Sequence, residues 1–162
     1  MNVTQPTTGL TTGTQTISGA KTFDTSAAVT SADGLTVNGI IVPQTKTLAF
    51  PLNALNIAVS SALFIADESY QITAVRASWG VASISMNFNI EKLTGTTAPG
   101  SGTALLQSVI DTSGTANTVI SGTLTATTSA LQLAVGDRIG MKIAGTITSL
   151  VGLVVIITLK RI

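Results

Sequence analysis

Hydrophobic and polar residues alternate with a period of two in the second part of the chain, most regularly between residues 86 and 91. Such spacing sends successive side chains to opposite faces of a β-strand. The alternation predicts an inward face of Met86, Phe88 and Ile90 and an outward face of Asn87, Asn89 and Glu91. This is the strongest local signal in the sequence, and it indicates a strand that covers a hydrophobic core.

Residues 70–78 alternate in a similar way. Their pattern predicts Tyr70, Ile72, Ala74 and Arg76 on one face of a strand and Gln71, Thr73 and Val75 on the other. Further strands are predicted at 46–51, 84–93, 104–110, 118–124, 138–143 and 152–161, because β-branched runs there are separated by glycine-containing turns. Residues 55–65 fit either a short helix or a strand, and residues 94–102 (TGTTAPGSG) predict an exposed loop.

Many short strands with regular turns are typical of a sandwich or a barrel. Segments 66–93 and 135–162 have equal length and a similar layout of acidic turn, strand, loop and apolar strand. Equivalent hairpins in the two halves of a jelly roll would produce this layout, and so would convergence between two strand–loop–strand units. The predicted fold is all-β, a jelly-roll-type β-sandwich with an extended N-terminal region.

The chain divides into two regions of different amino-acid composition. Residues 1–44 are rich in Thr, Ser and Gly and contain no apolar run long enough for a core, whereas residues 45–162 contain nearly all the long apolar segments. Pro43 marks the boundary, since proline cannot donate a hydrogen bond to a β-ladder. We therefore expect an attachment arm or intertwined fibre-like segment at 1–44 and a β-sandwich domain at 45–162.

The composition is unusually apolar, with 44% hydrophobic and only 9% charged residues and a mean hydropathy of +0.53. The longest apolar run, 150–159, is about half the length of a membrane-spanning helix, and Lys160 and Arg161 follow it directly. Its β-branched residues favour a strand that is buried on both faces. No membrane span is expected, and residues 1–6 lack the basic and apolar regions of a signal peptide.

Familiar catalytic chemistry has few candidate residues here. The chain contains no cysteine and no histidine, which removes the usual nucleophile–base pairs and thiolate metal ligands. The seven acidic residues stand mostly at predicted turns, where carboxylates bond nearby amides. Net charge is +1 with scattered basic residues, unlike a nucleic-acid binder. We expect no enzyme activity, cofactor, metal site or nucleic-acid partner.

Trp79, the single tryptophan, stands at a predicted strand-to-loop edge. An exposed tryptophan would suit stacking on a glycan. The alternative is an anchor in the core or in a subunit interface, where large amphipathic rings are favoured.

Residues 14–23 (TQTISGAKTF), 28–30 (AVT) and 34–39 (GLTVNG) resemble the short repeats of tailed-phage fibres and tail-associated proteins. In those proteins such segments belong to trimeric, intertwined β structures or to attachment arms. The resemblance implies a homotrimer and assigns assembly or attachment to Thr14, Ile17, Phe23, Leu35 and Val37.

A second resemblance covers most of residues 66–162 and is to tailed-phage virion proteins of the capsid decoration or head-fibre kind. It is carried by the segments ADESY (66–70), EKLTG (91–95), APGSG (98–102), GTANT (114–118), GTLTA (122–126) and AVGDRIG (134–140). The implied function is a structural virion component, assembled in the host cytoplasm, whose N-terminal region binds the major capsid protein or another virion protein. The alternatives are a tail-fibre or baseplate component that binds a host glycan receptor, and a non-phage carbohydrate-binding module.

Overall fold

The computed structural model describes residues 45–52 and 60–162, together with the backbone of two short strands at 36–37 and 40–41. All of its regular elements are strands. In chain order they are β1 (Thr36–Val37), β2 (Ile40–Ile41), β3 (Thr45–Leu52), β4 (Ser61–Ile65), β5 (Tyr70–Ser78), β6 (Asn87–Leu93), β7 (Thr103–Ala104), β8 (Ile110–Asp111), β9 (Ile120–Gly122), β10 (Gln132–Leu133), β11 (Arg138–Ala144) and β12 (Leu153–Arg161). In the part of the chain that the structure describes, no helix is long and apolar enough to cross a membrane.

Two antiparallel sheets form a β-sandwich, which confirms the all-β prediction. The first sheet has the order β10-β5-β12-β3, with β9 also paired to β5, and the second has the order β4-β11-β6-β7, with β8 also paired to β6. From β3 to β6 consecutive strands alternate between the two sheets, and so do β10, β11 and β12. β1 and β2 form a separate two-stranded ladder.

The predicted strands largely coincide with observed ones. Segments 46–51, 70–78, 138–143 and 152–161 correspond to β3, β5, β11 and β12, and 84–93 contains β6. Segment 104–110 is broken between β7 and β8, and 118–124 shortens to β9, while β10 was not predicted. Residues 61–65 of the ambiguous segment form a strand, and residues 53–59 lie outside the described residues.

The core lies between the two sheets, and side chains at alternate positions of the strands fill it. β12 contributes Leu153, Val155, Ile157 and Leu159, which are all fully buried. Met86, Phe88 and Ile90 are also fully buried, as their alternation predicts.

The prediction for β5 is wrong beyond Ile72, because a β-bulge shifts the alternation there. Leu159 of β12 pairs with Ile72 of β5, and Thr158, which precedes Leu159 in the chain, pairs with Ala74. Thr73 lies between the two paired residues of β5 and is therefore the extra residue. A bulge places two residues opposite one and thereby exchanges the faces of the residues that follow. Val75 therefore shares the inward face with Tyr70 and Ile72, whereas Ala74 and Arg76, which were predicted on that face, do not: Arg76 is exposed and Ala74 is half-buried.

Glu91 also departs from its prediction. It points away from the core, as the alternation requires, but it is only 1% exposed rather than solvated. The loop between β6 and β7 folds back over it, and the Glu91 carboxylate accepts hydrogen bonds from the amides of Gly100 and Gly102.

Candidate interaction surfaces

The arm residues assigned to attachment cannot be placed within this sandwich. Thr14, Ile17, Phe23 and Leu35 lie outside the described residues. Val37 belongs to β1, of which the backbone alone is described. These assignments remain predictions.

Trp79 lies in the core directly after β5, with 1% of its surface exposed. Its indole N–H donates to the carbonyl of Gly114 at 3.4 Å, and its own carbonyl accepts the amide of Asn117 at 2.8 Å. The ring thus anchors the loop between β8 and β9 and presents no open face on which a sugar could stack. Its position corresponds to the core alternative rather than to the glycan alternative.

Acidic residues act in turns and ion pairs throughout the described sandwich. The Asp111 carboxylate accepts the amide of Ser113 at 2.9 Å, which holds the pKa of Asp111 below its usual value. The Asp137 carboxylate accepts the amide of Ala134 at 3.0 Å. Within the described ranges, no three acidic side chains converge into a group that could hold a metal ion.

Charge is concentrated at one end of the sandwich, which we call the charged end. It contains the first residue of β3, the last residue of β12 and the loops between β4 and β5, β6 and β7, and β10 and β11. Of the twelve Lys, Arg, Asp and Glu residues in the described part of the chain, the three elsewhere are Arg76, Asp111 and Lys142. The nine at the charged end are Lys46, Asp67, Glu68, Glu91, Lys92, Asp137, Arg138, Lys160 and Arg161.

Three ion pairs order this end. Lys46 pairs with Asp67 at 3.0 Å, Arg161 with Glu68 at 2.9 Å and Lys92 with Asp137 at 3.3 Å. The hydroxyl of Tyr70 also donates to Asp67 at 2.7 Å. The Tyr70 hydrogen bond, and then the Lys46 hydrogen bond, lower the pKa of Asp67 to about 2.

The opposite end, which we call the neutral end, carries one charge among the described residues, that of Asp111, whose carboxylate accepts the amide of Ser113. Loops 79–86, 112–119 and 144–152 meet there and contain no Lys, Arg, Asp or Glu. Val81 and Val151 form an isolated antiparallel bridge, and both are about half-exposed. Ile84, in the same loop as Val81, is 72% exposed. Exposed aliphatic side chains with a single charge among them mark a surface that favours contact with another weakly charged surface.

The outer faces of the two sheets differ. On the second sheet, the loop between β6 and β7 covers Glu91 and Leu93, and the Arg138 guanidinium fixes that loop by donating to the carbonyls of Gly95 and Thr97 at 3.0 and 2.7 Å. On the first sheet, β12 presents Val154, Ile156 and Thr158, which are half-buried. The sequence predicted that β12 is apolar on both faces. The strand pairing shows that β12 lies between β3 and β5.

No protein-family model matches the chain, and a comparison with curated proteins finds no match. Among solved structures, the chain is similar to a chain from the Bacillus endospore appendages, a family of disulfide-linked pili, with 14% identity over 73% of this chain and 87% of that chain and a TM-score of 0.38. It is also similar to a chain of infectious bursal disease virus, Gx strain, with 13% identity over 81% of this chain and 41% of that chain and a TM-score of 0.31. At these TM-scores the two likenesses carry no argument about function.

Proposed function

We propose that this chain is a non-enzymatic structural component of a tailed-phage virion. It decorates the capsid or projects from it, is attached through residues 1–44 and assembles as a homotrimer. The sequence resemblances at 14–39 and over most of residues 66–162 support the assignment to the virion.

The fold within this proposal is a jelly roll. The strand order supports it: β3, β12, β5 and the β9/β10 pair form one sheet, and β4, β11, β6 and the β7/β8 pair form the other. If β7/β8 and β9/β10 are each counted as one interrupted strand, this is eight strands in two antiparallel four-stranded sheets, the architecture of a jelly roll. Such rigid sandwiches suit a protein whose role is to occupy space on a particle.

The observation that carries the proposal is where the arm joins the sandwich. β3 begins at Thr45, at the charged end, and runs towards the neutral end. β12 spans nine residues between the two ends, so they are about 30 Å apart. In this proposal residues 1–44 lead from Thr45 to the particle, so that the charged end faces the particle and the neutral loops face outward.

A glycan-binding tail component finds little support among the described residues. Stacking on a sugar needs an exposed aromatic ring. Phe50 and Phe64 are half-buried, and Tyr70, Trp79 and Phe88 are buried. The decoration role is therefore the one we retain.

The test is attachment to particles that lack this protein. The full chain and a variant without residues 1–44 are each mixed with such particles, and bound protein is measured after sedimentation. We expect the full chain to bind and the truncated chain to stay in the supernatant. Residues 1–44 contain only Lys21, Asp24 and Asp33 as charged residues, so binding should change little with salt.

The control is the circular dichroism spectrum of the truncated chain, which must show an intact β-sandwich. Undiminished binding of a folded truncated chain would transfer attachment to the sandwich. Binding that is lost at moderate salt would assign the contact to charged residues of the sandwich instead of to residues 1–44.

A further inference from the structure

The loop between β6 and β7, residues 94–102, crosses the outer face of the second sheet, and we call it the strap. It leaves β6 after Leu93 and returns to β7, which pairs with β6 so that Ala104 lies opposite Glu91. Between these points it reaches the residue that precedes β4, because a Cβ on Gly100 would lie 3.2 Å from the hydroxyl oxygen of Ser60. The strap therefore extends over the sheet from β7 to the start of β4.

Polar contacts from two charged side chains hold the strap in place. The Glu91 carboxylate accepts the amides of Gly100 and Gly102, and the Arg138 guanidinium donates to two carbonyls near the start of the strap. None of residues 94–102 is itself buried, so the strap adds no side chain to a hydrophobic core. Its docking therefore depends on charge-assisted hydrogen bonds rather than on apolar burial.

The Glu91 carboxylate depends on the strap in turn. Glu91 is almost completely buried, and Leu93 beside it is fully buried. Both side chains lie over Gly140 of β11, where a Cβ would come within 2.8 Å of the Leu93 Cδ1 and 3.1 Å of the Glu91 Oε1. A carboxylate that is removed from water needs hydrogen-bond donors for its charge. The strap amides supply those donors, so the docked strap and the ionised carboxylate stabilise each other.

The charged groups that surround Glu91 are cations. Arg138 and Lys142 lie on β11 two residues to either side of Gly140, which pairs with Glu91, and therefore share its face. β4, β7 and the strap contain no charged residue, and Lys92 points to the other face of β6, where it pairs with Asp137. Arginine and lysine keep their charge in acid. Among the described residues of this face, Glu91 is thus the group whose charge changes as the pH falls.

Protonation of Glu91 would break the match between carboxylate and strap. A protonated carboxyl group has an O–H donor in place of one acceptor oxygen. That O–H would face a strap amide, which is also a donor, and the remaining oxygen would be an uncharged and weaker acceptor. The contacts of Arg138 would stay intact, but they hold the start of the strap and leave Gly100 and Gly102 without their partner.

We propose that Glu91 and the strap form an acid-operated latch. The strap is docked while Glu91 is ionised and is released when Glu91 takes up a proton, which uncovers Leu93 and the outer face of β6. The latch consists of residues of the sandwich alone, so it is independent of whether residues 1–44 attach the chain to a particle.

The experiment follows the full chain by NMR from neutral to acidic pH. The carboxyl carbon resonance of Glu91 reports its protonation, and amide hydrogen exchange, expressed as protection factors, reports the docking of Gly100 and Gly102. We expect these two protection factors to fall by about tenfold to a hundredfold as Glu91 titrates, the size expected for bonds to a charged acceptor. The amide of Ile157 in β12 should stay protected. Protection of the strap that is constant through this titration, or that is lost together with that of Ile157, overturns the latch.

Two variants separate the carboxylate from the rest of the latch. Glu91→Gln should lower the protection of Gly100 and Gly102 at every pH and remove its dependence on pH. Arg138→Met is the matched control, because it removes the other half of the contacts and keeps Glu91. Its strap should be less protected at neutral pH and should still lose protection in acid. A folded Glu91→Gln with the pH profile of the wild type overturns the proposal. If Glu91→Gln does not fold, the wild-type titration and Arg138→Met decide it.

Discussion

Glu91 and Gly102 are joined by a hydrogen bond of 2.8 Å, in which the buried carboxylate accepts the glycine amide. The second carboxylate oxygen accepts the amide of Gly100. Gly140 on β11 lies beside Glu91, and a Cβ at that position would approach the carboxylate and side-chain carbon of Glu91 to 3.1 and 3.2 Å. The absence of a side chain at Gly140 therefore leaves room for Glu91 to reach the loop.

We predict that Glu91→Gln lowers the free energy of unfolding by about 1–3 kcal/mol, because an amide retains one acceptor oxygen and leaves a buried N–H without a partner. Urea denaturation of the full chain measures the change. Asp111→Asn is the matched control, since the Asp111 carboxylate also accepts a backbone amide but is exposed. Equal effects of the two substitutions would contradict the special role of the buried carboxylate.

Glu91 also shows the limit of reading faces from alternation. The pattern at 86–91 identified which side chains point inward, and it placed Glu91 correctly on the other face. It contained no information on whether a loop would return across that face. The loop itself was recognisable from its glycines and proline, but its docking depends on Arg138 and Gly140, which lie about 40 residues later in the sequence.

The bulge in β5 marks a second limit, because a single extra residue is invisible to a period of two. It also gives a sharp prediction. Deleting Thr73 should leave the sandwich folded, because Ile72, Val75 and Ala77 then follow a regular alternation with the same inward side chains. Circular dichroism and a cooperative thermal melt are the measurements.

Deleting Arg76 is the matched control, because it shortens the same strand by one residue without removing the bulge. It should turn Ala77 and Trp79 away from the core or force Val75 out of it, and cooperative folding should be lost. If both deletions were equally tolerated, the assignment of Thr73 as the extra residue would be wrong.

Acid should weaken the charged end through Asp67. The pKa of this carboxyl is lowered from 3.8 to about 2 by the Tyr70 hydroxyl and the Lys46 ammonium. A lowered folded-state pKa means that the stabilisation is complete above the unfolded-state pKa of about 4 and is lost as the pH falls towards 2. The melting temperature of the wild type should therefore decrease over this interval by more than that of Asp67→Asn.

Tyr70→Phe tests the cause of this shift while keeping the buried ring. It removes the hydrogen bond that contributes most to the lowered pKa of Asp67, so the acid-induced decrease in melting temperature should be smaller than in the wild type and should be complete at a higher pH. Lys46→Met should have the same direction of effect. An unchanged acid profile in Tyr70→Phe would show that the hydroxyl does not control Asp67.

The sequence predicted the fold of the sandwich from physical patterns, whereas it predicted the role of the arm only from resemblance. Period-two alternation and turn residues predicted the sandwich because its strands bury one face against a common core. Residues 1–44 contain no apolar run long enough to predict a core, and their assignment rests on resemblance. The roles of Thr14, Ile17, Phe23, Leu35 and Val37 accordingly depend on the binding experiment rather than on the fold.

Trp79 gives a direct test of the glycan alternative, because it is the single tryptophan in the chain and its fluorescence reports on one position. The ring is buried beneath the loops of the neutral end and donates to Gly114. We predict weak quenching of its fluorescence by acrylamide in the folded protein, a large increase in quenching on unfolding, and no change on titration with neutral monosaccharides. Trp79→Phe provides the blank, since it removes the tryptophan signal and keeps an aromatic ring in the core. Fluorescence of the folded wild type that is readily quenched, or that changes with added sugar, would mean that the neutral end opens to expose Trp79 and would restore glycan binding as a function of this surface.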